Sequence, residues 1–210
     1  MTPNVNYPYM PSDRHLKYAP HDHPFMIEAA QARSERSGDP SYPVGIVLVK
    51  DGVVIARAGN GFNKGAGQIH VCPRVVLECP SGTGYDLCHL HDPEGHAEPM
   101  VIAEAARLGV DASGADAYMF GHWWACEPCW KTLIDAGVRD LCVVEDSHER
   151  FSRDKVYGET ISGTREDYRV EQDGNIYRIY VPESTEPVYQ FEEQDPEIVT
   201  RRIKNIVRQL

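Results

Sequence analysis

Apolar and polar positions in the middle of the chain form runs typical of strands. Residues 44–50 and 53–57 are apolar and β-branched, and Asp51-Gly52 between them is a two-residue turn, so this stretch predicts a β-hairpin. Residues 115–120 and 141–145 have a similar strand-like composition. The hairpin and the two single runs therefore predict four strands.

Helical segments lie before and between these strands. Residues 24–37 begin at Pro24 and contain good helix formers such as Ala and Glu. Residues 96–109 have a largely apolar face, and residues 126–136 are followed by Gly137, a residue typical of helix ends. Strands that alternate with helices predict an α/β sandwich with a partly parallel sheet.

The two ends of the chain differ from this central part. Residues 1–23 show no period and predict an extended or weakly ordered arm, and residues 58–95 are loop-like. Residues 168–181 alternate around a Gly-Asn turn and predict a second hairpin. Residues 197–210 predict an amphipathic helix that docks on the core or on another subunit. The predicted parts of the chain are an N-terminal arm (1–23), a central domain (24–150) and a C-terminal extension (151–210).

The composition is that of a globular protein with a buried core. Of the 210 residues, 41% are apolar and 25% are charged. No apolar run approaches the roughly 20 residues that span a bilayer, and the first 20 residues lack the apolar segment of a secretion signal. We therefore expect a cytoplasmic protein that has no membrane partner.

The net charge of −11 restricts the class of ligand. A protein that binds duplex nucleic acid independently of sequence needs a strong basic surface, so we expect no such partner. A small anionic substrate remains compatible with this charge, because a few local donors in a pocket can oppose the overall sign.

Six Cys and nine His are the unusual part of the composition. Without a secretion signal, metal ligands and buried thiols are better interpretations than disulfides. His96 opens one predicted helix, and Cys126 and Cys129 open the next, where the positive ends of the helix dipoles favour thiolates. Zinc prefers nitrogen and sulfur ligands, and a catalytic zinc site keeps one of its four positions open. The three residues are therefore candidate ligands of a catalytic zinc.

Glu98 lies two residues after His96. A carboxylate beside a zinc-activated water can take up its proton and deliver it to a ring nitrogen and a leaving amine. The order H-x-E followed by C-x-x-C resembles the signature of zinc-dependent deaminases. The pattern therefore predicts hydrolytic deamination with Glu98 as the proton carrier.

The chain resembles the cytidine deaminase superfamily and, within it, the deoxycytidylate deaminase branch. The resemblance covers roughly residues 24–150. The segments that carry it are PVGIVLVKDG (43–52), GNGFNKG (59–65), CPSGTGYDLC (79–88), HAEPMVIAEAARLGV (96–110) and ACEPCWKTLIDAGV (125–138). The resemblance implies a three-layer αβα sandwich with a mixed central sheet.

The resemblance also implies roles for individual residues. The implied zinc ligands are His96, Cys126 and Cys129. Glu98 matches the family's proton shuttle, Asn60 matches its contact to the sugar, and the backbone of Ala97 matches its contact to the pyrimidine. For Asn60, an ordinary turn residue in a Gly-rich loop is the alternative.

One departure from the family pattern concerns the second helix. Ala125 stands where the family has Pro before the first Cys. Alignment on the E-P-C of residues 127–129 would place Thr132, a poor zinc ligand, in the second position, so Cys126 and Cys129 are preferred.

A second departure is the bulky run at residues 121–124. Trp123 and Trp124 in this run could stack on a base, or they could pack in the protein or against another subunit. Lys64 is a candidate phosphate contact, for which a solvated loop lysine is the alternative. Because this segment departs from the family pattern, the sequence determines the identity of the substrate less closely than that of the metal.

A further group of Cys and His residues precedes His96. Cys88 and His91 have the spacing of metal ligands, and His70 and His89 are close in the sequence. The candidate ligands of a second, structural zinc are Cys72, Cys79, Cys88 and His91. Some members of the deoxycytidylate branch resemble this in binding such a zinc. The alternative is free thiols and solvated histidines in a loop.

These observations predict zinc-dependent deamination of a pyrimidine nucleotide, with dCMP converted to dUMP and ammonia. One alternative is the same chemistry on another nucleoside, a modified nucleotide or a base in single-stranded nucleic acid. Another is a zinc-stabilised binding module without catalysis. The resemblance also implies a homo-oligomer, because deoxycytidylate deaminases self-associate.

Overall fold

The computed structural model describes residues 8–61, 69–80, 82–152, 155–156 and 167–210. Its strands are β1 (Leu16–Ala19), β2 (Gly45–Lys50), β3 (Val53–Gly59), β4 (Asp116–Phe120), β5 (Leu141–Val144), β6 (Arg169–Asp173), β7 (Ile176–Tyr180) and β8 (Tyr189–Glu192). Its helices are α1 (Pro24–Arg36), α2 (Pro73–Val76), α3 (Ala97–Leu108), α4 (Glu127–Asp135), α5 (Ser147–Arg150) and α6 (Pro196–Val207).

A mixed sheet forms the centre of the molecule. Within the described residues, its five strands lie in the order β1-β5-β4-β2-β3. Strand β2 pairs antiparallel with β3 and β4, whereas β5 pairs parallel with β1 and β4. Parallel neighbours need a crossover connection, and α4 lies between β4 and β5 in the chain. The prediction of a partly parallel sheet is confirmed.

Helices cover both faces of this sheet. The core between α1 and the sheet contains Ala29, Ala32, Val47 and Val49. The core between the sheet and helices α3 and α4 contains Ile46, Leu48, Val101 and Leu133. Successive residues of β2 therefore face opposite layers, as the two-residue period of a strand requires. The αβα sandwich is confirmed.

Helix α1 lies directly on the sheet at Gly45. A Cβ at this position would lie 2.1 Å from the backbone nitrogen of Arg33 and 2.2 Å from the carbonyl oxygen of Ala29. A larger residue would therefore push α1 away from the sheet. This close contact brings the segment after α1, residues 37–42, to the end of the β2–β3 hairpin.

The C-terminal extension forms a second, antiparallel sheet in the order β6-β7-β8. Its hairpin, β6 and β7, confirms the prediction, but β8 was not predicted because only Phe191 of its four residues is buried. Helix α6 docks on this sheet and on the segment before α2. The residues of this core include Ile69, Val71, Ile179, Phe191, Val199 and Ile206. The amphipathic helix therefore packs within its own chain.

The N-terminal arm contains an edge strand of the central sheet. In β1, Leu16 pairs opposite Leu141 and Ala19 opposite Val144. Only the first and last of its four residues are buried, so no alternation marks the strand in the sequence. Of the two alternatives for the arm, extended or weakly ordered, residues 16–19 adopt the extended one and join the central sheet, which the sequence did not predict.

The loop-like stretch of residues 58–95 has more local structure than expected. It contains the end of β3, helix α2 and three single turns of 3-10 helix at Tyr85–Leu87, His89–His91 and Pro93–Gly95. These turns lead directly into α3. In the described part of the chain, no helix is both long and apolar enough to cross a membrane.

Candidate active site and metal centres

The beginnings of α3 and α4 carry the first group of metal-ligand side chains. His96 precedes α3, Cys126 precedes α4 and Cys129 lies in the first turn of α4. His96 Nδ1 lies 3.3 Å from the sulfur of Cys129 and 3.6 Å from that of Cys126. The two sulfur atoms are 3.3 Å apart. The three residues predicted from spacing therefore converge on one point.

Both helix starts leave these side chains available. His96 and Cys126 have extended backbone conformations, and neither side chain caps its helix through a hydrogen bond. Pro128 occupies the first turn of α4, where its missing N–H has no intrahelical acceptor to lose. The positive ends of two helix dipoles thus lie beside a ring nitrogen and two thiols.

Hydrogen bonding and burial shift the pKa values of the two thiols in opposite directions. The hydrogen bond with Cys129 lowers the pKa of Cys126 to about 5, with burial opposing this shift and His96 assisting it. Burial raises the pKa of Cys129. Cys126 is therefore the thiol that is ionised first, as a metal ligand must be.

Glu98 lies beside this group in the first turn of α3. Its side chain belongs to a residue that is only 5% exposed, and it lines a cavity together with His96 and Cys126. Burial raises the pKa of Glu98 to about 7, although the charge of His96 opposes the rise. A carboxyl group with such a pKa can both accept and donate a proton near neutral pH.

A second group of ligands is formed by the segments around α2 and the 3-10 turns. His70 Nε2 lies 3.1 Å from the sulfur of Cys88. His91 Nδ1 lies 3.3 Å from the sulfur of Cys72 and 3.3 Å from that of Cys88. All four residues offer atoms that lie within 4.8 Å of one another.

The predicted ligand set of this second group needs one correction. It named Cys79, whereas the fourth member of the group is His70, and Cys79 lines the cavity instead. Two features explain the difference. Glu78 has a positive φ of 54°, which turns the chain away after α2. Gln209, just after α6, holds His70 in place, because its amide accepts from the backbone N–H of His70 at 2.7 Å and donates to the carbonyl oxygen at 3.0 Å.

Asp39 contacts the second group through His91. Its buried carboxylate accepts hydrogen bonds from the N–H groups of Ser41 and Tyr42 and lies 2.9 Å from His91 Nε2. Burial lowers the pKa of His91, but the charge of Asp39 outweighs it and raises that pKa to about 9. Burial raises the pKa of Asp39, but the charge of His91 outweighs this effect and holds the pKa of Asp39 below its usual range. A carboxylate behind a histidine is typical of metal ligands, because it orients the other ring nitrogen.

The donor atoms of both groups suit zinc. Among the described residues, one group combines a histidine with two cysteines, and the other combines two histidines with two cysteines. Structural zinc sites use four nitrogen and sulfur ligands, whereas catalytic sites use three and leave a position for water or substrate. The four-ligand group can therefore close its tetrahedron, and the three-ligand group leaves one position open.

A cavity of about 210 Å³ adjoins both groups. His96 and Glu98 line it on the side of the three-ligand group, and His91 and Asp39 line it on the side of the four-ligand group. Cys126 also reaches the cavity. The open position of the three-ligand group is therefore next to a space that could receive a ligand.

Asn60 lines this cavity, but its side chain is used within the protein. Its oxygen accepts from the N–H of Val44 at 2.8 Å and from the hydroxyl of Ser37 at 2.6 Å. Its nitrogen donates to the carbonyl oxygen of Tyr42 at 2.9 Å and to Asp39 at 3.4 Å. A contact to a sugar would thus require one of these hydrogen bonds to be exchanged.

The other substrate and ligand predictions have separate outcomes. Ala97 is the first residue of α3 and lines the cavity, and backbone N–H groups at such positions have no intrahelical acceptor. Thr132 donates its hydroxyl to the carbonyl oxygen of Pro128 at 2.9 Å and is outside the three-ligand group. Lys64 lies outside the described residues.

The bulky segment after β4 forms an aromatic wall of the cavity. Trp124 donates its indole N–H to the carbonyl oxygen of Tyr9 at 2.7 Å, so it also holds the N-terminal arm. The Trp123 ring packs edge-on against His148, with 4.5 Å between the ring centres. Both Trp residues and His122 line the cavity. The segment therefore combines packing with cavity formation.

Sequence reasoning did not single out Arg74, Tyr85 or His148 as residues of the site. All three line the cavity. Arg74 and Tyr85 lie two and three residues from the cysteines Cys72 and Cys88, so their proximity to candidate ligands was the available signal. His148 lies in a polar segment without a pattern, and only the fold brings it to the cavity.

Comparison with known proteins identifies a family. The family model described as "Cytidine and deoxycytidylate deaminase zinc-binding region" matches residues 20–145. The matched range contains both groups of metal ligands, Glu98 and Asn60.

Two curated relatives match part of the chain. ComE operon protein 2 of Bacillus subtilis is 29% identical over 111 residues, which are 53% of this chain and 52% of that protein. The deoxycytidylate deaminase of Schizosaccharomyces pombe is 29% identical over 119 residues, which are 56% of this chain and 35% of that protein. The match therefore spans about half of one relative and about a third of the other.

Among solved structures, the dCMP deaminase of cyanophage S-TIM5 in its apo form is similar to this chain. It is 20% identical, with 60% of this chain and 86% of that chain covered and a TM-score of 0.35.

Proposed function

The chain belongs to the cytidine and deoxycytidylate deaminase family, and from that membership we propose that it is a zinc-dependent hydrolase that deaminates a cytosine nucleotide. In this proposal dCMP is the substrate, and dUMP and ammonia are the products. The observation that carries the proposal is the placement of Glu98 beside a three-ligand group, on the wall of a cavity. The deoxycytidylate deaminase among the relatives supports the choice of dCMP.

Glu98 moves protons in the proposed reaction. His96, Cys126 and Cys129 would hold the zinc, which would supply an activated water by lowering its pKa toward neutrality. Glu98 takes up one proton of the attacking water and delivers it to N3 of the cytosine ring. A second proton, from the hydroxyl now on C4, passes through Glu98 to the amine, which leaves as ammonia. One water is consumed for each ammonia released, and Glu98 ends in its starting state.

The remaining residues bind and orient the substrate in this proposal. The backbone N–H of Ala97 contacts the pyrimidine, which is supported by its position at the start of α3 on the cavity wall. Asn60 contacts the sugar if it exchanges one of its hydrogen bonds, for which the 3.4 Å contact with Asp39 is the longest. The four-ligand group at His70 and His91 would hold a structural zinc, which would keep this wall of the cavity in place.

A substrate panel tests this proposal. Ammonia release is measured for the zinc-loaded protein with cytidine, deoxycytidine, dCMP, dCTP and single-stranded DNA. We expect the highest kcat/KM for dCMP. A preference for a nucleoside or for single-stranded DNA would replace dCMP by that substrate, although the net charge of −11 weighs against a polymer. Bound zinc without turnover on any of these would favour a non-catalytic binding module.

Self-association in the cytoplasm is also part of the proposal. The relevant measurement is light scattering on the zinc-loaded protein, which gives the mass of the particle in solution. A mass of one chain, 23.6 kDa, would contradict the homo-oligomer. Fluorescence microscopy of a tagged chain in its own host would test the location.

A further inference from the structure

A single permanent cation stands on the wall of the cavity. Among the described residues that line it, Arg74 is the only Lys or Arg. In a chain with a net charge of −11, Arg74 is therefore a local exception to the overall sign.

Two contacts hold the guanidinium of Arg74 in one orientation. Its Nε donates to the carbonyl oxygen of Thr83 at 2.8 Å, and its Cζ lies 4.2 Å from the centre of the Tyr85 ring. Tyr85 in turn packs against His96, with 5.5 Å between the ring centres. The cation is thus preorganised, one aromatic ring away from a proposed zinc ligand.

The guanidinium has no acidic partner in the part of the chain that the structure describes. Arg57 and Arg201, which do not line the cavity, pair with Glu28 and Glu78. Within the described residues, Arg74 contacts Thr83 and Tyr85, and these contacts leave its two terminal nitrogens unused. Two parallel N–H groups of arginine match the oxygen atoms of a phosphate.

We propose that Arg74 binds the 5′-phosphate of the substrate and so makes the site selective for nucleotides over nucleosides. This inference rests on the proposed deamination and names a specificity-determining residue for it. The base and the phosphate of a nucleotide lie at opposite ends of the sugar. A phosphate on Arg74 therefore leaves the base free to reach His96 and Glu98, which line the same cavity.

Two variants separate the charge of Arg74 from its structural contact. Arg74→Gln keeps an N–H donor for Thr83 but removes the charge, and Arg74→Lys keeps the charge but loses the paired donors. We expect Arg74→Gln to lower the ratio of kcat/KM for dCMP to that for deoxycytidine by about 10- to 100-fold, since hydrogen bonds to charged groups are the strong ones. Arg74→Lys should lower it less. The change is expected chiefly in KM for dCMP.

The matched control is Arg107→Gln. Arg107 lies on the exposed side of α3, where it pairs with Glu104, and it does not line the cavity. We expect this variant to leave the substrate ratio unchanged. Equal losses on dCMP and deoxycytidine in Arg74→Gln, or no loss on either, would overturn the role of Arg74.

Binding without turnover separates this inference from the proposed function. Calorimetry on Glu98→Gln, with and without Arg74→Gln, gives the Kd of dCMP and of deoxycytidine. We expect Arg74→Gln to weaken dCMP binding by about 10- to 100-fold and deoxycytidine binding by less. If this difference holds while the wild type deaminates neither compound, the deaminase proposal fails and the role of Arg74 stands. If dCMP is deaminated but both Kd values change equally, only the role of Arg74 fails, and if dCMP does not bind at all, both fail.

Discussion

The two groups of metal ligands differ in the number of ligands and in the position of the nearest carboxylate. The group at His96 has three ligands, and Glu98 lies beside it on the cavity wall. The group at His91 has four ligands, and Asp39 contacts the ring nitrogen of His91 that points away from the thiols. Cysteine and histidine thus form two kinds of ligand group within one chain, one with an open coordination position and one with four ligands. The position of the nearest carboxylate distinguishes the two groups.

The surroundings of the two carboxylates explain their different behaviour. Asp39 receives hydrogen bonds from Ser41 and Tyr42 and pairs with His91, so it is held in its charged form despite complete burial. Glu98 is also buried, but burial dominates there and raises its pKa to about 7. A carboxylate held by many donors positions its neighbours, whereas one with few donors can exchange a proton.

The four-ligand group also supports the cavity that the three-ligand group uses. Asp39 and His91 line this cavity, and Asp39 accepts from Asn60 on the same wall. On the far side, Arg208 donates to the hydroxyl of Ser41, and Gln209 holds the backbone of His70. The C-terminal extension therefore contacts the four-ligand group directly. Changes in this group are expected to reach the cavity, but more weakly than changes at Glu98.

The largest expected effect is that of Glu98→Gln on turnover. General acid–base catalysis contributes about 10²- to 10⁴-fold, so ammonia release should fall by at least that order. Zinc content, measured by plasma emission, should not change, because Glu98 is not a ligand. Glu104→Gln on the same helix, where Glu104 pairs with Arg107, is the control and should retain activity. Normal turnover in Glu98→Gln would show that Glu98 does not carry protons, and the three-ligand group would then no longer differ from the four-ligand group in the role of its carboxylate.

Cys88→Ser should affect the other group without direct loss of the catalytic residues. The sulfur of Cys88 contacts both His70 and His91, so its removal should release one of two zinc equivalents. The melting temperature should fall by about 5–10 °C, because a structural metal contributes to folding. Plasma emission and thermal unfolding measure the two effects. A single zinc equivalent in both the wild type and the variant would show that the four residues do not hold a metal.

Asp39→Asn should have a smaller, graded effect. Loss of a carboxylate behind a metal-binding histidine weakens metal affinity by about 10- to 100-fold, so a competing chelator should remove zinc from the four-ligand group more easily. The KM should rise, because Asp39 also contacts the wall at Asn60. Asp111→Asn, which alters an exposed pair with Lys50, is the control. Equal loss of zinc from both groups would contradict the assignment of Asp39 to one of them.

The smallest expected effect is that of Cys79→Ser. Cys79 lies on the cavity wall and is not a member of either ligand group among the described residues. The variant should therefore keep the full zinc content and a melting temperature close to that of the wild type. Loss of one zinc equivalent would show that Cys79 is a zinc ligand, as the sequence alone predicted.

The three-ligand group was predictable because its spacing is local. His96 and Glu98 lie within one turn of a helix start, and so do Cys126 and Cys129. Within a single turn, the number of intervening residues sets which side chains share a face. The sequence therefore indicated the zinc chemistry before the two helix starts were seen to meet.

The four-ligand group was predictable only in part. Cys88 and His91 share one tight turn, and the sequence identified both. The choice between Cys79 and His70 depended on the positive φ of Glu78 and on the docking of Gln209. The second feature lies far away in the sequence, so no local spacing carried it.

The same contrast applies to the fold. The hairpin at Asp51-Gly52 and the alternation of strands and helices predicted the mixed sheet, because turn chemistry and side-chain period are local. Strands β1 and β8 each have four residues and little buried surface of their own, so only their partners reveal them. The C-terminal helix was predicted, but its docking place was not.

The sequence by itself predicted the grouping of His96, Cys126 and Cys129, the neighbouring Glu98 and the alternating α/β core, and the structure brings these residues together. The tertiary structure decided that His70 completes the second group, that Asn60 is engaged within the protein and that Arg74 lines the cavity. The physical reason is the range of the interactions. Turns and helical periods depend on neighbours in the chain, whereas contacts such as Gln209 with His70 form only when the packing of the whole chain brings distant segments together.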